Sequence, residues 1–369
     1  MKALPTSNSN NKRFRNPNID FLRISGMIAI VIDHLLYHAG GFKKFKYQEL
    51  QLLNIICMWH VCSFAMVSGL VGNKTHKFSN LLYLWILVVF YSFLFYIKFN
   101  PLKNLLLNKV IKANLFPVIS CNYWYFTSYF GVYPFLPFIN ESISILDKII
   151  LKKSIYFMLG IFILWSSYFQ DQFLQNNGRS TFSLLIFYIF GSYIRKYIFY
   201  KKNSIIWRIL LCILCFIIFI MISMFCYKVN TLNSNPKTDS SLQKIFKIKI
   251  NSFPMVIQTF SIIIFISQIN FHEYLSKIIT FIGPLTFDVY LIHENNYVRS
   301  SYIKYALNSI TNNINLFSVL CLIIKKAFYI FFICIFFAYI RSIIFRILKI
   351  KNICLYIEIF ANKVLNFMI

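Results

Sequence analysis

The apolar residues of this chain fall into blocks of about 17–25 residues, the length a helix needs to cross the hydrocarbon core of a bilayer. Short polar stretches separate them. The blocks lie at about residues 19–39, 53–72, 81–99, 124–139, 154–169, 182–197, 205–227, 254–269, 278–297 and 327–345. The fourth, fifth and sixth are short, and their limits are weakly marked. The last begins near Leu316 instead if Lys325 and Lys326 snorkel or face protein. Within each block the apolar residues are continuous rather than alternating, which favours helices over the strands of a barrel. The pattern therefore predicts an all-α integral membrane protein of about ten transmembrane helices.

The flanks complete this outline. Residues 1–17 are polar and basic and lack the short apolar core of a cleavable signal, so the first block is expected to be retained as a span. Residues 18–345 form one membrane domain, and 346–369 a basic amphipathic tail. An even number of spans puts both termini on one side. Lys2, Lys12, Arg13 and Arg15 at one end, and Arg341, Arg346, Lys349 and Lys351 at the other, point to the cytoplasm. Two segments, 101–113 and 343–365, have the composition of short interfacial helices lying on the membrane surface. The longest polar stretch, 228–252, is only loop-sized, and there is no internal repeat.

Composition changes this picture little. The chain is 58% hydrophobic, and its formal net charge of +27 resides mostly in loops. On a membrane protein that charge faces anionic headgroups, so nucleic acid is not an expected partner. A cytosolic anion such as a coenzyme A thioester would also be attracted. Seven of the nine cysteines lie within or beside apolar blocks, which argues against a disulfide framework, and no spacing suggests zinc. No metal and no bound cofactor are expected.

Ionisable residues inside membrane spans are rare and usually functional, because burying charge in hydrocarbon is costly. The first block holds Arg23, Asp33, His34 and His38. Arg23 and His34 are 11 residues apart. Eleven helical steps return to within about 20° of the same face and advance about 16 Å along the axis. His38 follows one turn later on that face. Asp33 lies about 100° away and is not expected to orient His34.

The segment Ile19-Asp20-Phe21-Leu22-Arg23, followed by ten residues and His34, resembles the opening signature of the acyltransferase 3 family, integral membrane O-acyltransferases of the polysaccharide-modifying type. Further elements follow in the family's order. Phe64-Ala65-Met66-Val67-Ser68-Gly69 is similar to its Phe-x-x-x-Ser-Gly element. Tyr123-Trp124-Tyr125-Phe126, with Tyr133 and Pro137, resembles its Trp-aromatic, Tyr and Pro stretch. Tyr188 to Lys196 resembles its Tyr-x-x-Gly-x-x-Ile-Arg segment, and Thr286 to Asn295 its Tyr-Leu-Ile-His element. Where family members often carry an Arg-x-x-Arg element for handling the donor, this chain has Lys74-Thr75-His76-Lys77, which keeps charge and loses bidentate geometry. The soluble esterase-like domain of some relatives has no counterpart here.

The resemblance implies acyl transfer, most simply of acetyl from acetyl coenzyme A, to a hydroxyl of a cell-surface or exopolysaccharide sugar, free or lipid-linked, at the cell membrane. Such a reaction needs a base for the hydroxyl proton, and imidazole is suited to it near neutral pH. His34 is the candidate base, with Arg23 the second catalytic candidate. Arg23, Lys74 and Lys77 are expected to hold the donor's phosphates. His293, Trp124, Tyr125 and Ser68 are candidates for the cavity or the acceptor site. Trp124 and Tyr125 could stack on a sugar but read somewhat better as interfacial aromatics, and Ser68-Gly69 reads as a close helix contact. Two other classes remain open from the sequence: a flippase for lipid-linked sugars, against which the lack of paired halves speaks, and a polysaccharide polymerase.

Overall fold

The computed structural model describes residues 15–45, 47–72, 77–99, 114–169, 173–199, 204–232, 244–308 and 315–368. Among these there is no strand. Ten helical segments coincide with the ten apolar blocks: α1 (Pro17–Tyr37), α2 (Glu49–Val71), α3 (Phe78–Phe99), α4 (124–145), α5 (Lys148–Phe169), α6 (Thr181–Phe199), α7 (Ile205–Leu232), α8 (Phe253–Ser267), α9 (Glu273–His293) and α10 (Leu316–Ile347). Seven of them are long and apolar enough to cross a membrane by length and composition alone. An amphipathic helix, α11 (Ile350–Met368), follows.

The exception at α1 has a local cause. Helix α1 holds 21 residues, yet Asp20, Arg23 and Asp33 lower its hydropathy. It tolerates them because it packs against α2, α8, α9 and α10 and is shielded from lipid. Asn16 caps its start by accepting from the Asn18 amide at 2.9 Å, and Pro17 occupies the first turn, where no amide donor is needed. By contrast α7 turns Ile206, Trp207, Leu210 and Ile213 outward, the surface a lipid-facing helix requires.

Helices α2 and α6 make the most extensive contact in the bundle, and glycines permit it. A Cβ on Gly69 would lie 2.1 Å from the Tyr188 carbonyl oxygen, and one on Gly191 would lie 1.9 Å from that of Met66. Small residues let backbones approach where hydrophobic burial gives no net drive. Gly69→Ala and Gly191→Ala should each destabilise this seam by at least the ~1–3 kcal/mol of overpacking. Both should lower the yield of monodisperse protein on size exclusion. Gly160→Ala, whose Cβ would meet nothing within 4 Å, is the control and should leave the yield unchanged.

Three expectations are corrected at the C-terminal end and around α9. Arg341, counted among the basic tail residues, is buried within α10 and paired with Asp288 of α9. Its charge therefore says nothing about the tail. The interfacial helix does not start at residue 343: α10 runs on through Ile347, the chain turns at Lys349 with φ 50°, and α11 begins at Ile350. Helix α9 stops at His293 rather than Tyr297, because the Asn295 side chain accepts from the Tyr297 amide at 3.0 Å and starts a new short helix, Asn296–Ser301. The start of α10 at Leu316 places Lys325 and Lys326 inside the helix. Segment 101–113 and Lys74 lie outside the described residues.

Both ends of the described chain lie on one side of the bundle. Arg15, before α1, and Lys351, at the start of α11, line the same cavity with Lys77. Helix α11 docks on the start of α3, where the Phe78 amide donates to the Glu358 carboxylate at 2.8 Å.

Candidate active site

Helix α1 carries His34 and His38 near its end opposite Arg15, their rings edge to face with centroids 4.8 Å apart. Helix α9 ends beside them. His34 Nδ1 lies 3.0 Å from His293 Nε2 and 3.1 Å from the Glu294 carboxylate. His293 is buried, with its Nδ1 2.6 Å from the Val289 carbonyl oxygen.

These contacts determine where the protons lie. A carbonyl oxygen only accepts, so His293 Nδ1 carries a hydrogen, and on a neutral ring Nε2 is then an acceptor. His34 must therefore donate from Nδ1 to His293 Nε2. Its own Nε2 keeps the lone pair. That is the tautomer a general base requires, and the buried Glu294 carboxylate faces the imidazolium that forms on protonation.

Glu294 is itself held. Arg299 Nη1 donates to its Oε1 at 2.7 Å, and Arg299 Nη2 donates to Asn296 Oδ1 at 2.9 Å. The neighbouring Asn295 donates to the Tyr123 hydroxyl at 2.8 Å, and that hydroxyl donates to the Leu291 carbonyl at 3.0 Å. The break after α9 is thus pinned to the segment leading into α4. His38 Nε2 is 3.9 Å from Glu294 and stands toward the surface.

Trp124 and Tyr125 reach the same region through Tyr290. The Tyr125 and Tyr290 rings are 6.3 Å apart, and Tyr290 is 6.5 Å from the His293 ring. Trp124 packs against Tyr125, and the exposed Arg179 guanidinium lies 5.8 Å from its ring centroid. An aromatic wall therefore borders the histidines, with a cation over its outermost ring.

Other candidates lie elsewhere. Asp33 turns toward His60 of α2, 3.9 Å away, and not toward His34. Arg23 is at the far end of α1, donating to Asp20 Oδ1 at 2.8 Å, and Arg15 donates to the same carboxylate through Nε at 2.6 Å. Separated from His34 by three helical turns, Arg23 does not reach the reacting atom His34 serves. Ser68 donates to the Phe64 carbonyl at 3.1 Å. With Asp33 beside His60 and Gly26 beside Ser63 and Phe64, the antiparallel register of α1 and α2 puts Ser68 nearer the level of Arg23 than of His34. Lys77 is exposed, and its carbonyl accepts from the Tyr133 hydroxyl at 2.5 Å.

The side chains of His34, His293 and Glu294 offer ligand atoms within 4.8 Å of one another, close enough to be considered for a metal ion. Two imidazole nitrogens on one zinc, each at about 2.0–2.1 Å in tetrahedral geometry, stand about 3.3–3.4 Å apart. At 3.0 Å the two nitrogens are at hydrogen-bond distance, and hydrogen bonding accounts for the arrangement.

Sequence reasoning missed Glu294 and Arg299. The signal was there: an acid directly after a histidine at the end of an apolar block, with an arginine five positions on. It also missed the buried pair of Asp288 and Arg341. Arg341 donates to both carboxylate oxygens, through Nε at 2.7 Å and Nη2 at 2.6 Å, and Tyr91 donates to the same carboxylate at 2.8 Å. Their 53-residue separation leaves no local pattern to detect.

A family model described as an acyltransferase domain, Acyl_transf_3, matches residues 16–347. No curated protein and no solved structure matches the chain.

Proposed function

Because this chain belongs to the acyltransferase domain family and is a multi-pass membrane acyltransferase, we propose that it moves an acyl group, most simply acetyl, from acyl coenzyme A to a sugar hydroxyl of a cell-surface polysaccharide or its precursor, at the plasma membrane. The observation that carries this reading is the relay Arg299–Glu294–His34–His293, which leaves His34 Nε2 free to accept a proton. In the proposed reaction His34 Nε2 takes the hydroxyl proton as the oxygen attacks the thioester carbonyl. A C–O bond forms, the tetrahedral intermediate collapses, and the C–S bond breaks. The leaving thiolate recovers the proton from His34. Glu294 stabilises the transient imidazolium.

The donor end of the proposal rests on charge. A cavity of about 800 Å³ on the side of the two chain ends is lined by Arg15, Lys77 and Lys351, and Arg15 shares Asp20 with Arg23. With that side as the cytoplasm, these cations meet the phosphates of coenzyme A. The span of about 16 Å from Arg23 to His34 is comparable to an extended pantetheine arm. The double variant Lys77→Ala with Lys351→Ala removes two of these charges. It should raise KM for acetyl coenzyme A about tenfold, the scale of losing one charge-assisted contact, with little change in kcat. Initial rates of purified protein against donor concentration test this, and unchanged donor kinetics would remove the cavity from the reaction. Cysteine-accessibility labelling at the two chain ends in intact cells tests their side of the membrane independently.

A further inference from the structure

On the other flank of His293 a second cavity, of about 710 Å³, runs between α3, the end of α9 and α10. Its α10 wall extends from Lys326 to Ile344 through Ile330, Ile333, Phe337 and Arg341, a single helical face. Eighteen residues of helix span about 27 Å, nearly the thickness of the hydrocarbon core. Apart from its two ends the lining is almost wholly aliphatic and aromatic. Leu94, Ile333 and Phe337 are exposed in the isolated chain, so the cavity is a groove open sideways to lipid.

The ends differ in charge. At one end Arg341 is neutralised by Asp288. At the other, Lys98 and Lys326 line the cavity, and among the described residues neither has an acidic partner. Lys98 rests over the rings of Phe99 and Tyr302, 5.6 and 5.7 Å from their centroids. Lysine within a membrane span is costly unless it meets an anion or water. His293 lines the groove and also hydrogen-bonds His34, so groove and relay meet at one side chain.

We propose that this groove holds the hydrocarbon tail of the acceptor, a saccharide joined through phosphate to a long chain, with Lys98 and Lys326 on the phosphate. This rests on the reading of the protein as a sugar acyltransferase and names the class of its acceptor. The charges decide between the two hydrocarbon chains in that reaction. The acyl chain of a donor carries no charge to match two ammonium groups, and the donor's own phosphates belong with the cations at the opposite end of α1. A chain lying along α10 with its phosphate between the lysines brings the attached sugar to the level of His293, where His34 Nε2 is available.

The test uses the full chain in lipid nanodiscs and a diazirine-bearing isoprenyl monophosphate, mapped by mass spectrometry after photolysis. Labelling is expected on α3 and α10 peptides lining the groove. Unlabelled isoprenyl phosphate should compete, and the alcohol of equal length should not. Lys98→Gln with Lys326→Gln should weaken labelling about tenfold or more, the scale of losing contacts to a charged group. Leu94→Trp, which fills the groove from an exposed position, should weaken it while leaving the protein monodisperse. Equal competition by the alcohol, stronger competition by a long-chain acyl coenzyme A, or labelling confined to other helices overturns the proposal. Labelling requires no turnover, so failure of acyl transfer to any acceptor would count against the enzymatic reading and leave this result standing.

Discussion

His34→Ala is expected to lower acyl transfer by about 10²–10⁴-fold, the usual contribution of a general base, with the protein still monodisperse. His34→Gln should be nearly as damaging, since an amide keeps much of the size and hydrogen bonding and cannot take up a proton near neutrality. His293→Ala should have a smaller effect. It removes the acceptor for His34 Nδ1, yet Glu294 remains 3.1 Å from that atom to hold the tautomer. Glu294→Gln leaves a neutral partner opposite the imidazolium and should lower kcat more than it alters KM for either substrate. Groups that act as a unit are not additive, so His34→Ala with His293→Ala should be little worse than His34→Ala alone. Acylated product formed by purified protein is the measurement. If His34→Ala keeps most of its activity, the base lies elsewhere and His293 is the next candidate. If it only prevents accumulation of protein, the role of His34 is packing.

The second large effect concerns stability. Asp288→Asn or Arg341→Leu alone strands a charge inside the bundle, which for buried pairs costs about 3–5 kcal/mol. Tyr91 and Tyr83 remain in place around the survivor, Tyr91 bonded to Asp288 and Tyr83 accepting from Arg341 at 3.1 Å, but neither replaces an opposite charge. Each single variant should lose folded protein on heating in detergent well below the parent. The double variant Asp288→Leu with Arg341→Met should recover much of the loss, because apolar replacement of both partners removes the desolvation penalty along with the attraction. Equal stability of single variants and parent would mean that water reaches the pair.

How much of this was legible in the sequence depends on the kind of interaction. The ten blocks and their helical state follow from composition, because in hydrocarbon a backbone must satisfy its own hydrogen bonds and only a long apolar run supplies a helix that can do so there. Arg23, His34 and His38 fall on one face of α1 by arithmetic on a regular helix, a local property. The partners of His34 are not local. His293 is 259 residues away, and its approach depends on how α1 and α9 cross. Glu294 takes part because Asn295 ends the helix one residue earlier and pins the break to Tyr123, a side-chain choice that overrides an apolar run predicting helix to residue 297. Arg341 was misread for the same reason. By sequence it stands near a basic tail, and only the packing of α10 against α9 delivers Asp288 to neutralise it. Hydropathy and helical periodicity thus determined the elements and the face on which a base could sit. The tertiary structure alone decided which charges meet, since pairing in a membrane interior is set by distances between helices and not by distance along the chain.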